Sequence, residues 1–392
     1  MVYPDAMPFA DAPLDWLNLL FVPLMIITAT QLRRNWASIW DNDLTSEDRY
    51  LLLRTVIFLL LPAVVLFHEL GHGAATIMFG GKIREFHYGF LWGYVVPAGK
   101  FTVDQLVWTY FAGNLVQILI GIVAIAGAAF AKSPPVVALL VYFGLWTMAG
   151  TAIFYALMSF TGLYGDWLAI YTAPAPALTL SIAIFHGIIV LFILFCLYDS
   201  RAKLWFIRRT RPQWLPEQQA LWARIAADPS ADNWVNLGWS FYRVGLNSQA
   251  EEYLRLAQTR DGGLPEAQML RAALAFRKGD FKAASAMLTE VAAAPAADDD
   301  LRHRALVTLA SCQVRLNEKE QALQTFDQAA ALNPSVADPH FFKAMILLDQ
   351  GKEDAALAEL MACRGLTWVD PTLELSAKAR FEALTNKKSG KK

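Results

Sequence analysis

The segment FHELGHG, residues 67–73, decides how this chain is interpreted, and it lies inside a long apolar run over residues 51–78. Because residues four apart lie on one face of a helix, His68 and His72 can offer two imidazole nitrogens to one metal ion. Glu69 lies beside them as a base for a water molecule at that metal. Since ionisable groups are costly in hydrocarbon, this pattern predicts a metal site rather than packed polar residues, and zinc suits the donor set.

Composition divides the chain into two halves. Of its 392 residues, 56% are hydrophobic and 18% are charged, which is too apolar for an ordinary soluble protein. Residues 1–200 carry the apolar character, whereas residues 212–392 have the composition of a soluble helical domain. A formal net charge of −1 and the lack of a basic stripe argue against a nucleic-acid partner. Neither a disulfide framework nor a cysteine-rich zinc site is indicated by the widely spaced Cys196, Cys312 and Cys363.

Five apolar segments are long enough for membrane-spanning helices, which need about 20 apolar residues. The second segment carries the two histidines, and Pro62 predicts a kink in it. Gly80-Gly81 predicts its end. The five predicted spans cover residues 16–32, 51–79, 103–130, 136–160 and 178–197.

Residues 82–97, KIREFHYGFLWGYVVP, are rich in aromatic and β-branched side chains. With Gly89 and Gly93 as turn points, they predict a short β-hairpin whose exposed edge could pair with an unfolded peptide. The alternative is a loop at the membrane interface, where Trp and Tyr are favoured. His87 is interpreted as an interfacial residue.

A catalytic zinc site needs a third protein ligand, and Asp166 is the candidate. It follows the fourth predicted span, so it lies on the same side of the membrane as the histidine end of the second span. Asp104, at the start of the third span, is the next candidate, and His186 and Glu85 are weaker ones. The alternative for Asp166 is a helix cap, a common role for aspartate.

The second half of the chain repeats. Gly245 and Gly279 are 34 residues apart, as are Asn317 and Gly351, and the step between the two pairs is 38 residues. A helical repeat of 34 residues indicates tetratricopeptide repeats, which stack into a solenoid. Between the two halves, residues 199–214 are basic and aromatic and predict a segment at the membrane surface.

A His-Glu-x-x-His motif in a membrane helix resembles the site-2 protease family of intramembrane zinc metalloproteases, in its divergent bacterial branch. The aromatic hairpin is similar to the membrane-associated hairpin of that family. The family favours Ala-Gly-Pro-x-x-Asn in the third span, and AGNLVQ, residues 112–117, stands there, with Asn114 for the proline and Gln117 for the asparagine. The resemblance implies zinc held by two histidines and an aspartate. Asp166 occupies the aspartate position, without the Asn-Pro context of the family.

We therefore predict an all-α protein: a polytopic transmembrane helical bundle with a short β-hairpin, followed by a tetratricopeptide-repeat α-solenoid. The predicted domains are a membrane metalloprotease-like domain at 1–198, a basic juxtamembrane linker at 199–214, a repeat domain at 215–386 and a disordered tail at 387–392.

The predicted function is an intramembrane zinc metallopeptidase with Glu69 as catalytic base, Zn²⁺ as cofactor and His68, His72 and Asp166 as ligands. Its partners would be a membrane protein or peptide substrate, a protein at the repeats and the lipid bilayer. The alternatives are an inactive membrane scaffold that binds proteins through the repeats, and a zinc hydrolase of a non-peptide substrate. The resemblance to a bacterial branch implies a multi-pass integral protein of the bacterial cytoplasmic membrane. The positive-inside rule places the repeats in the cytoplasm and the metal end of the second span on the outer side. The family resemblance instead implies a metal site nearer the cytoplasm.

Overall fold

The computed structural model describes residues 15–41, 43–161, 165–370 and 372–388. The chain divides into two compact units, residues 1–215 and 216–392. Each unit has its own buried core. The domain limits placed by sequence after residues 198, 214 and 386 stay predictions.

Where the structure describes the first unit, its regular elements are helices and one β-hairpin. Its elements are α1 (Asp15–Arg34), α2 (Trp36–Ile39), α3 (Ser46–Met78), β1 (Lys82–Tyr88), β2 (Gly93–Ala98), α4 (Val103–Phe130), α5 (Pro134–Phe160), α6 (Asp166–Thr172), α7 (Pro176–Tyr198) and α8 (Ser200–Thr210). Among the residues that the structure describes, four helices are long and apolar enough to cross a membrane: α3, α4, α5 and α7. Helix α1 covers the first predicted span but is not among these four, so its crossing of the membrane stays a prediction.

Helix α3 begins earlier than predicted and is not uniform. Thr45 and Asp48 form a capping box at its start, each side chain accepting the backbone N–H of the other. A π-helical turn at Val56–Leu60 precedes Pro62, which has no N–H to donate and crowds the carbonyl one turn back. Gly80 then adopts a φ of +80°, which ends the helix.

The predicted hairpin is confirmed. Strands β1 and β2 pair antiparallel, with a bulge between Ile83 and Glu85. Its turn differs from the prediction: Phe90 takes the positive φ of +55°, while Gly93 is the first residue of β2 rather than a turn residue. The Tyr88 hydroxyl donates to the Pro62 carbonyl at 2.8 Å, which anchors the end of β1 to α3.

Helices α4 and α5 reproduce the third and fourth predicted spans. A second π-helical turn, at Gly150–Tyr155, interrupts α5. Beyond it the short helix α6 buries Trp167 completely, and the indole N–H donates to the Thr151 carbonyl at 2.8 Å. These contacts hold the beginning of α6 against α5 in the core of the first unit.

The basic segment between the halves is helical, as α8. Its Arg209 donates to the carbonyl oxygens of Ala128 and Ala129 at 3.2 and 2.9 Å. The last carbonyls of a helix have no partners within the helix, so this arginine caps the end of α4.

Over the described part of the second unit there are four helical hairpins, preceded by one helix and followed by another. The hinge residues of the sequence repeat, Gly245, Gly279, Asn317 and Gly351, have φ values of 86°, 84°, 65° and 73°. The helices are α9 (Trp214–Ala227), α10 (Ala231–Arg243), α11 (Asn247–Gln258), α12 (Pro265–Arg277), α13 (Phe281–Ala293), α14 (Asp299–Arg315), α15 (Lys319–Leu332), α16 (Asp338–Asp349), α17 (Glu353–Ala362) and α18 (Thr372–Lys388).

The fold class is thus confirmed: a helical membrane domain with a hairpin, followed by a tetratricopeptide-like solenoid. The four hinge residues of the repeat share one left-handed backbone conformation, which glycine adopts freely and asparagine tolerates. They are Gly245, Gly279, Asn317 and Gly351. Helix α18 ends at Lys388, and the rest of the predicted disordered tail, residues 389–392, lies outside the described residues.

Candidate metal centre

The two histidines of α3 and the aspartate that begins α6 converge on one point. The Nε2 atoms of His68 and His72 are 3.0 Å apart, and each lies 3.1 Å from Oδ2 of Asp166. Both histidine residues are buried, with 6% and 7% of their surface exposed. Among the residues that the structure describes, this is the one group of three possible metal-ligating side chains.

Asp166 is not a helix cap. Gly165 occupies the N-cap position of α6 and Asp166 is the first helical residue, with its carboxylate directed at the histidines. Its own N–H donates to the Tyr155 hydroxyl oxygen at 3.0 Å. Burial acts to raise the pKa of the Asp166 carboxyl, but His72 and His68 outweigh it and hold that pKa below its ordinary value. The carboxyl is therefore ionised at neutral pH.

The other ring nitrogen of each histidine is also engaged. Nδ1 of His72 lies 2.7 Å from the carbonyl oxygen of Thr109, and Nδ1 of His68 lies 3.0 Å from Oε1 of Gln117. A carbonyl oxygen only accepts, so each Nδ1 is the donor in these contacts, and in the neutral ring, the form that binds a metal, the lone pair lies on Nε2. Both lone pairs then belong to the nitrogens that converge on Asp166.

Glu69 is buried, with 4% of its surface exposed, and the hairpin covers it. A Cβ added to Gly93 would lie 2.7 Å from Cγ of Glu69, so the backbone of β2 passes directly over this side chain. The glycine is required there by packing against Glu69, not by a turn.

Helix α4 packs closely against His68 and His72. A Cβ on Gly113 would lie 2.4 Å from Nε2 of His72 and 2.8 Å from Cδ2 of His68. In the facing helix, a Cβ on Gly71 would meet the Ala112 carbonyl oxygen at 2.8 Å. Two glycines therefore let the α3 and α4 backbones come close enough to enclose the rings.

The remaining candidates lie elsewhere. Asp104 is exposed in the first turn of α4, and the Glu85 carboxylate accepts the Tyr94 hydroxyl. His87 stacks on Trp92 at 4.5 Å between ring centroids. In α7, His186 is bonded by Nε2 to the Ala152 carbonyl at 2.6 Å and by Nδ1 to the Tyr171 hydroxyl at 2.7 Å, as a structural histidine would be.

Sequence reasoning missed the polar side of α5. Thr147, Thr151 and Tyr155 recur every four residues in an otherwise apolar helix, so they share one face. In the structure this face meets Gln117, Asn114 and Asp166. A search for polar periodicity within the apolar segments would have found it.

Comparison with known proteins identifies one matching region in each half of the chain. Residues 49–224 match a family model described as Peptidase M50B-like, and residues 307–363 match a tetratricopeptide-repeat model. The resemblance to the site-2 protease family is therefore confirmed over the first of these regions. The protein is a membrane protein that joins a site-2-protease-like domain to tetratricopeptide repeats, and such repeats indicate protein binding.

Solved structures resemble the chain only distantly. MamA is 19% identical, with 42% of this chain and 92% of MamA covered at a TM-score of 0.32. PilF from Pseudomonas aeruginosa is 15% identical over 47% of this chain and 86% of its own, with a TM-score of 0.37. YrrB, described as a TPR protein with an unusual peptide-binding site, is 20% identical over 44% and 85%, with a TM-score of 0.33. No curated protein matches the chain.

Proposed function

We propose that the first unit is an intramembrane zinc metallopeptidase that cleaves peptide bonds of membrane-spanning or membrane-adjacent proteins. The main support for this proposal is a short set of distances: two imidazole nitrogens and one carboxylate oxygen lie 3.0–3.1 Å from one another. Zinc bonds of about 2.0–2.1 Å in a tetrahedral site put ligand atoms roughly 3.3 Å apart, close to the observed separations. The donor set of His68, His72 and Asp166 therefore fits zinc.

Zinc, when bound, would supply a Lewis acid that polarises the scissile carbonyl and lowers the pKa of water. Glu69, one residue from His68, is placed to take the proton of the attacking water and return it to the leaving amine. Thr109 and Gln117 keep both histidines with Nε2 free, and the ionised Asp166 supplies the negative charge. The backbone of β2 over Glu69 excludes bulk water from that side.

The hairpin offers a place for an extended substrate. Within the described residues, β1 pairs only with β2, and most of its residues are exposed, whereas the middle of β2 is buried. An unpaired strand edge can bind a peptide through its backbone N–H and C=O groups. We infer that the substrate is locally unwound and lies along the free edge of β1, one strand away from β2, which covers Glu69.

We further propose that the repeats bind the soluble part of a substrate or a partner, and that they face the cytoplasm. Helices α3, α4, α5 and α7 alternate in direction across a membrane, so the beginning of α3 and the end of α7 share one side. That side carries the basic helix α8 and the second unit after it, and the positive-inside rule makes it cytoplasmic. The metal centre lies towards the other side.

Metal analysis and peptide cleavage by the purified protein test this proposal together. We expect one zinc per chain in the wild type, loss of zinc in His68→Ala, and retained zinc without cleavage of membrane-protein peptides in Glu69→Gln. Full zinc in His68→Ala would refute the site. Bound zinc with no peptide cleavage in the wild type would favour a scaffold, and activity on small substrates alone would favour a different zinc hydrolase.

A further inference from the structure

Two amide side chains of α4 link the candidate ligands to α5. Oε1 of Gln117 lies 3.0 Å from Nδ1 of His68, and its Nε2 donates to the Thr147 carbonyl at 3.0 Å. Because that carbonyl can only accept, the amide is held in one orientation with its oxygen towards the histidine. Gln117 therefore fixes both the ring position and the tautomer of His68.

Asn114 makes the equivalent link to the third candidate ligand. It lies three residues before Gln117, on the same face of α4. Its Nδ2 lies 3.3 Å from Oδ2 of Asp166, and its Oδ1 accepts the Thr151 hydroxyl at 2.6 Å. Gln117 thus contacts His68 through its oxygen and α5 through its nitrogen, whereas Asn114 contacts Asp166 through its nitrogen and α5 through its oxygen. The two contacts with α5 lie on successive turns of that helix.

Burial makes these contacts effective. Asn114 is completely buried and Gln117 is 8% exposed, so water does not compete for their hydrogen bonds. A buried amide with a missing partner would be costly, and each of these oxygens has a bonded partner. They are also the two residues at which the chain departs from the Ala-Gly-Pro-x-x-Asn pattern of the family.

We propose that Gln117 and Asn114 are positioning residues that set His68 and Asp166 in their metal-binding geometry before the metal arrives. The inference rests on the proposed zinc site and deepens it. Partners of this kind fix the ligand orientation, and removing them typically lowers metal affinity by about 10–100-fold. Neither residue is expected to touch the metal.

Gln117→Met keeps the length of the side chain but cannot accept the hydrogen bond from Nδ1–H of His68. We expect it to bind zinc about 10–100-fold more weakly than wild type in competition with a chromophoric chelator. Its cobalt(II) complex should also show an altered visible spectrum, because the His68 ring can rotate. Gln105→Met is the matched control: it lies on the same helix, and its exposed amide bonds the backbone of Thr102 only.

Zinc affinity and a cobalt spectrum equal to wild type in folded Gln117→Met would overturn the inference while leaving the proposed zinc site intact. If Gln117→Met does not fold, Asn114→Leu provides the same measurement through Asp166, and wild-type affinity in that variant would refute the paired role. A wild type that binds no zinc would refute the proposed function itself.

Discussion

Replacing Gly113 by alanine should disable the metal centre with a single methyl group. Its Cβ would lie 2.4 Å from Nε2 of His72 and 2.8 Å from Cδ2 of His68, whereas ordinary contacts begin near 3.4 Å. The nitrogen of His72 must therefore retreat by about 1 Å, several times the tolerance of about 0.2 Å for a metal-ligand bond. A misplacement of about 1 Å can cost roughly 100-fold in rate. We expect most zinc to be lost and cleavage to fall by at least that factor.

Gly127→Ala is the matched control on the same helix. Its Cβ would lie 3.6 Å from the nearest atom, Cδ1 of Leu140, so the methyl group fits without displacement. Alanine favours a helix over glycine by about 1 kcal/mol, so neither substitution should weaken α4 itself. Metal analysis and melting temperature of both variants separate the effects. Full zinc and wild-type cleavage in Gly113→Ala would show that the histidines do not sit where the structure places them.

Three further predictions concern other residues. Asp166→Ala should lose most bound zinc and all cleavage, whereas a residue that only capped α6 would cost about 1 kcal/mol of stability and spare the metal; metal analysis decides. Asn317→Val should lower the free energy of unfolding of residues 212–392, expressed alone, by about 1–2 kcal/mol in a urea titration, because valine resists a φ of 65°, while Asn317→Gly should be tolerated. Burial raises the pKa of the Cys312 and Cys363 thiols to about 11, so both should stay protonated at neutral pH and resist a thiol reagent until the protein is unfolded, as mass spectrometry of labelled peptides would show.

Much of the architecture follows from sequence periodicity. Apolar segments of sufficient length gave α3, α4, α5 and α7 to within a few residues, and the spacing of Gly245, Gly279, Asn317 and Gly351 identified the repeats. The approach of Asp166 to the histidines followed from counting helix directions across a membrane. These features depend on local composition and connectivity, which a single sequence carries.

Close tertiary approach was not predictable in the same way. The interpretation of Gly93 as a turn residue was wrong, because it is the Glu69 side chain in another element that requires a glycine there. The orientation of Gln117 depends on a backbone carbonyl of α5, and a π-helical turn displaces the following residues of that helix. Such contacts arise only when three helices are packed together.

In the proposed function, Glu69 acts as the base for cleavage of peptide bonds in membrane proteins, with zinc held by His68, His72 and Asp166. The most direct test of this function is a proteomic comparison of new peptide N-termini in membranes from cells that carry the wild type or Glu69→Gln, with metal analysis showing that both proteins hold zinc. We predict a set of cleavage sites in or next to membrane segments that are present with the wild type and absent with Glu69→Gln. Identical sets of N-termini in the two samples, with zinc bound in both, would contradict the claim.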